Sequence, residues 1–165
     1  MASGDLQLVQ PKNTSVHTFQ VAAGGASTIQ PGEPVAATPG TATVALAADA
    51  TPAMGTDYLI GIATTDSTDT AAAAGTVECY VFSGGEMLSA KTKAAASADT
   101  LTEIRALAND FLLFDLTSTN WTVDAASGHA ITGGLIATGE GEPENSRIYL
   151  WVRNGVTFMG SDIAA

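Results

Sequence analysis

Leu59-Ile60-Gly61-Ile62-Ala63 and Val77-Glu78-Cys79-Tyr80-Val81-Phe82 are short β-branched or aromatic runs bounded by Thr, Asp and Gly, and the connection between them is polar and then alanine-rich. Runs of this length between turn residues read as strands rather than helices. The pattern recurs. Gly134-Leu135-Ile136-Ala137-Thr138 resembles Ile60-Gly61-Ile62-Ala63-Thr64, and Ile148-Tyr149-Leu150-Trp151-Val152-Arg153-Asn154-Gly155 resembles Val77-Glu78-Cys79-Tyr80-Val81-Phe82-Ser83-Gly84. Two similar strand-loop-strand units are therefore expected to share a sheet or barrel.

Outward from these units, Gly24-Gly25, Pro31-Gly32, Pro34 and Pro39-Gly40 exclude a long helix before residue 55 and leave room for short strands at 35–37 and 41–46. Residues 1–20 read as an extended N-terminal arm: Leu6, Leu8 and the Val16, Thr18, Gln20 set alternate with polar neighbours, and Pro11 interrupts any helix. One helix is predicted near residues 100–109. Thr100-Leu101-Thr102-Glu103 has capping-box spacing, and Leu101, Ile104, Leu107 and Ala108 share a face. Residues 111–116 read as a buried strand and Trp121-Thr122-Val123 as a short one. The expected fold is mostly β, a β-sandwich or small β-barrel of short strands with one short α-helix. The arm (1–20) precedes a single β-rich domain (21–165).

Composition narrows the function. The 165 residues carry 17 Asp plus Glu against 6 Lys plus Arg, a net charge of -11, so phosphate backbones are repelled and nucleic acid is not an expected partner. No run approaches the roughly 18 apolar residues of a membrane helix, and no basic, apolar leader opens the chain, so no membrane partner and synthesis in a cytoplasm are expected. Yet 45% of residues are hydrophobic and only 14% charged, a balance that points to surface buried against partners. Cys79 is the sole cysteine and allows neither an internal disulfide nor a cysteine zinc site; inside an apolar run it reads as a buried thiol.

Groups that invite chemistry have plain readings. Asp124, Ser127 and His129 fall within one turn-forming segment, without the Gly-x-Ser-x-Gly elbow of a nucleophilic serine. Glu140, Glu142 and Glu144 alternate but do not fit a calcium loop, and with Asp66 and Asp69 they read as two solvated acidic loops, 64–75 and 139–146. His17 and His129 lack a second ligand at metal spacing. No catalytic residue, metal or cofactor is expected, and the chain is not read as an enzyme. Trp121 and Trp151, the two tryptophans, are candidates for core packing or for a subunit or capsid interface.

The order of these pieces resembles the head-decoration, or cement, proteins of tailed bacteriophages of the lambda-like type. The best-matching part is 57–90, where the Ile60-Gly61-Ile62-Ala63 strand leads through a small-residue loop to Tyr80-Val81-Phe82-Ser83-Gly84, and 134–155 extends it. The resemblance implies a structural virion protein that binds the outer surface of an icosahedral capsid and stabilises it as a homotrimer at threefold positions. Its partners would be the major capsid protein and itself. It further implies an arm that orders on the shell, a role that by position falls on Leu6, Leu8 and Val9. The alternative is another virion structural or host-surface module, such as a head fibre base, a tail component or an adhesin domain.

Overall fold

A computed structural model describes residues 6–12, 15–24, 29–37, 40–50, 52–53, 58–117, 120–125 and 133–157. In chain order the strands are β1 (Leu6–Gln10), β2 (Val16–Val21), β3 (Pro34–Ala37), β4 (Thr43–Leu46), β5 (Leu59–Ala63), β6 (Gly75–Val81) and β7 (Met87–Lys91). Helix α1 (Leu101–Ala106) follows, then β8 (Phe111–Leu112), β9 (Phe114–Thr117), β10 (Asn120–Val123), β11 (Leu135–Glu142) and β12 (Arg147–Val152). The fold is mostly β, as the alternation and turn density require. Strands β2-β4-β3-β5-β6 close a small barrel, β1-β7-β12-β11-β8 form a five-stranded sheet, and β9 and β10 pair as a ribbon. Among the described strand pairs the β2–β4 pairing, which closes the barrel through Gln20↔Thr43 and Val21↔Val44, is parallel and the others are antiparallel.

Strand β5 explains why Leu59-Ile60-Gly61-Ile62-Ala63 lacks polar alternation. Both of its faces are covered. Ile60 and Ala63 join the barrel interior with Val21, Ile29, Val35, Val44, Val77 and Cys79, whereas Leu59 and Ile62 join a larger cluster beneath the five-stranded sheet. That cluster is filled from β12 by Ile148, Leu150 and Val152 and from the helical region by Ile104 and Leu107.

The internal echo survives as hydrogen-bonded register. In the first unit Gly61, Ile62 and Ala63 pair with Val81, Tyr80 and Cys79; in the second, Leu135, Ile136 and Ala137 pair with Val152, Trp151 and Leu150. Each pairing lands on the corresponding residue of the other unit. The next bond agrees too, since Phe82 N–H donates to Ile60 O at 2.8 Å and Arg153 N–H to Gly134 O at 3.0 Å. The expectation of a shared sheet is corrected: the first hairpin lies in the barrel and the second in the five-stranded sheet. The second connection is also shorter than expected, because β11 runs on to Glu142 and a 3₁₀ turn of Pro143–Asn145 completes the link. Residues 138–140 bulge opposite Tyr149, with Gly139 at φ +80, a left-handed conformation that a side chain disfavours.

Within the segment read as an N-terminal arm, β1 lies antiparallel on β7 and β2 antiparallel on β6. Leu6 pairs with Ala90, and ten residues on Val16 pairs with Tyr80, so one register carries the chain from the five-stranded sheet into the barrel with a bulge between Leu8 and Gln10. The alternation that suggested an arm has a packing cause: Leu6 is 5% exposed and belongs to the larger cluster, with Leu8 packed against it. Lys12 fastens the crossing by donating from Nζ to Gly84 O at 2.8 Å.

Helix α1 starts where the capping box predicts. Thr100 Oγ1 accepts from Glu103 N–H at 3.2 Å, and Glu103 Oε2 accepts from Thr100 N–H at 3.0 Å. It ends earlier than 109, after less than two turns. Of the predicted inward face, Ile104 and Leu107 are buried, whereas Leu101 is 50% exposed. The expected strand at 111–116 breaks at Leu113, because Phe111–Leu112 pairs with β11 and Phe114–Thr117 turns away to pair with β10.

Candidate interaction surface

Strand β12 alternates between two environments. Ile148, Leu150 and Val152 point into the core, so Arg147, Tyr149 and Trp151 face outward. The register extends that outer face across the sheet. Trp151 stands between Met87 of β7 and Ile136 of β11, and Ile136 pairs with Phe111 of β8. Their chain neighbours Leu88, Leu135 and Leu112 are inward and buried, which fixes the orientation of the row. Met87, Trp151, Ile136 and Phe111 thus form an apolar row over four strands, in which Trp151 is 38% exposed and the others half-buried.

Polar groups border the row. The Arg153 guanidinium lies 4.6 Å from the centre of the Phe111 ring, within cation–π range, and donates to Gly133 O at 2.8 Å. Arg147 lies flat on the sheet, donating from Nε to Ser89 Oγ at 2.8 Å and from Nη2 to Ser89 O at 3.0 Å. Tyr149 Oη donates to Glu142 Oε1 at 3.1 Å and Asn145 Nδ2 to Glu142 Oε2 at 3.0 Å. These two bonds hold the Glu142 carboxyl below its ordinary range, Asn145 contributing most, and the carboxylate in turn raises the Tyr149 phenol.

The residues singled out from sequence fall in different places. Trp121 takes the core alternative: it is 2% exposed, edge-on to Phe114 at 5.9 Å, and part of the larger core. Its position in β10 places it opposite Leu116, on the covered side of the ribbon. Trp151 lies on the surface. Of Leu6, Leu8 and Val9, Leu6 is buried and Leu8 half-buried, because both face the sheet's own core; Val9, at the bulge, is 40% exposed.

The acidic loops are only partly solvated. Asp66 and Glu144 are exposed, but Asp69 is 3% exposed and accepts from Ser67 Oγ at 2.6 Å, and Glu142 is engaged by Tyr149. The three alternating glutamates therefore do not converge, and among the described residues no group of three or more His, Cys, Asp or Glu is placed to hold a metal ion. Ser127 and His129 lie outside the described residues. Burial pushes the Cys79 thiol up to about 12, which leaves it protonated and unreactive at neutral pH. Glu86, fully buried, accepts from Ser83 N–H, Ser83 Oγ and Gly84 N–H and so locks the turn into β7.

Sequence reasoning missed Met87, Ile136, Phe111 and Arg153 as a group. The available signal was the alternation in 147–152 read together with the hairpin echo, which places Ile136 beside Trp151 once Ile62 is placed beside Tyr80. Among the described residues no helix is long and apolar enough to cross a membrane. No protein-family model, curated protein or solved structure matches the chain.

Proposed function

We propose that this chain is a structural virion protein that binds the outer surface of an icosahedral phage capsid and cements it, acting as a homotrimer with the major capsid protein as its other partner. The reading starts from the likeness of 57–90 and 134–155 to decoration proteins. The structural observation that supports it is the placement of β1 at the edge of the five-stranded sheet, with β7 on one side and Val9 exposed at a bulge. An edge strand offers backbone donors and acceptors to an extended segment of another protein, and such β-addition requires no reactive group. Because Leu6 and Leu8 serve the chain's own core, Val9 carries the side-chain contact of this edge.

The test is co-sedimentation of the purified chain with expanded, empty phage capsids. Saturable binding that raises the capsid's melting temperature, and that Val9→Asp weakens, is the expected result. No sedimentation with capsids, or localisation at the tail in electron micrographs of particles, overturns the reading; the tail outcome favours a tail or fibre component instead.

A further inference from the structure

The two hairpins offer an internal comparison of what covers an outward aromatic. In the barrel hairpin the pair Ile62 and Tyr80 packs on the chain's own core: Ile62 is 8% exposed and a member of the larger cluster, and Tyr80 is half-buried against the same cluster. The corresponding pair in the other hairpin, Ile136 and Trp151, occupies the same register but lies on the outer face of the five-stranded sheet. There Trp151 is 38% exposed and continues into Met87 and Phe111. Among the described residues, the same local structure thus packs on a core cluster in one copy and carries its aromatic on the outer face of the sheet in the other.

Charge narrows the occupant. Three of the six basic residues, Lys91, Arg153 and the largely buried Arg147, 6% exposed, lie at this face together with Glu140 and Glu142, which leaves three basic residues against fifteen acidic ones over the rest of the chain. Two copies at net charge -11 repel most where two acidic surfaces meet, and less where one of the two surfaces in contact, as in the heterologous contact of a closed ring, has a border of mixed sign. A basic partner would be drawn to the acidic surface instead, and a nucleic acid would be repelled by the molecule as a whole.

We infer that the outer face of the five-stranded sheet, centred on the Met87, Trp151, Ile136 and Phe111 row, is a self-association surface occupied by a second copy of this chain. The inference rests on the capsid reading for its choice of a like subunit. Strands about 4.8 Å apart make the row a patch on the order of 15–20 Å long. That is the centre of a standard interface of about 800 Å² per partner rather than the whole of it, so the charged border must join the contact. Trp151 is the natural anchor, a large ring at the middle of the row.

The experiment is sedimentation velocity of the full chain over a wide concentration range, with acrylamide quenching of tryptophan fluorescence on the same samples. Trp121 is buried, so quenching reports mainly on Trp151. The parent is expected to associate with loss of the quenchable fraction. Trp151→Glu and Trp151→Ala should weaken association by roughly tenfold or more, as an interface anchor does, with unchanged circular dichroism. Leu101→Glu, at an exposed helix position away from the face, should associate like the parent. A parent that stays monomeric throughout, or Trp151 variants that associate unchanged, overturns the inference. Capsid co-sedimentation separates the two proposals: a monomer that still binds capsids overturns the self-association face and the trimer but not the cement function, and an oligomer that ignores capsids overturns only the cement function.

Discussion

Leu6→Ala tests whether the N-terminal segment is a strand of the domain or a free arm. Leu6 is 5% exposed, opposite Ala90 at the start of β1, in the cluster that Leu88, Ile148 and Leu150 fill. Truncation removes three carbons at about 0.8 kcal/mol each, roughly 2.4 kcal/mol, and adds a cavity cost that an edge strand relieves in part. The expected loss is about 2.5–3.5 kcal/mol. With a urea m-value near 2 kcal/mol/M, the unfolding midpoint should fall by roughly 1–2 M. Val9→Ala, at a 40% exposed side chain in the same strand, should change stability by no more than about 0.5 kcal/mol. Urea unfolding followed by tryptophan fluorescence reads both variants. A Leu6→Ala protein within about 0.5 kcal/mol of the parent would refute the reasoning, because a segment whose removal costs nothing is held by nothing.

Gly61→Ala places a Cβ on the backbone carbonyl of Tyr80, across the β5–β6 pair, so it should cost about 3 kcal/mol or more or prevent folding; thermal unfolding of soluble protein within a degree or two of the parent would contradict this. Cys79 should resist alkylation at pH 8 in the native protein and react at once in urea, as measured by thiol titration, since it is buried in the barrel with a pKa pushed up to about 12. Glu142 has a folded pKa below its ordinary 4.5, so its contribution to stability is present above that value and lost as pH falls through the lowered one. Glu142→Gln should therefore narrow the gap between melting temperatures at pH 6 and pH 3, and an identical pH dependence in the two proteins would dismiss the Tyr149 and Asn145 bonds as contributors.

Local patterns were legible in the sequence wherever one element decides its own environment. Capping chemistry located the start of α1, and turn residues and β-branched runs located β3 to β6. Tertiary partners decided what was misread. Alternation in Leu6 and Leu8 is the same for an arm awaiting a capsid and for a strand already paired, and only the partner Ala90 distinguishes them. Leu101 has helical spacing to Ile104, but in so short a helix the first turn projects beyond the cluster that receives Ile104 and Leu107. At 111–116 an unbroken apolar run conceals a change of partner at Leu113. Residue type flagged Trp121 and Trp151 equally, whereas strand pairing sent one to the core and the other to the surface.

The repeated hairpin register shows one local structure in two settings. Backbone pairing is the same in both copies, so the sequence differences between them record what each face meets. Gly61 corresponds to Leu135, two positions with opposite demands: a Cβ at Gly61 would fall on the Tyr80 carbonyl, whereas Leu135 is fully buried and fills the core under the sheet. Cys79 corresponds to Leu150, a small side chain inside a narrow five-stranded barrel against a larger one beneath an open sheet. At these two positions the barrel hairpin carries the smaller side chain, for a backbone approach at Gly61 and for interior volume at Cys79. Tyr80 is half-buried against the larger cluster, whereas Trp151 is larger and 38% exposed, in neither core cluster of the described residues. A tryptophan kept at the centre of an apolar row, bordered by half of the basic residues of an otherwise acidic protein, is best explained by a contact made between molecules.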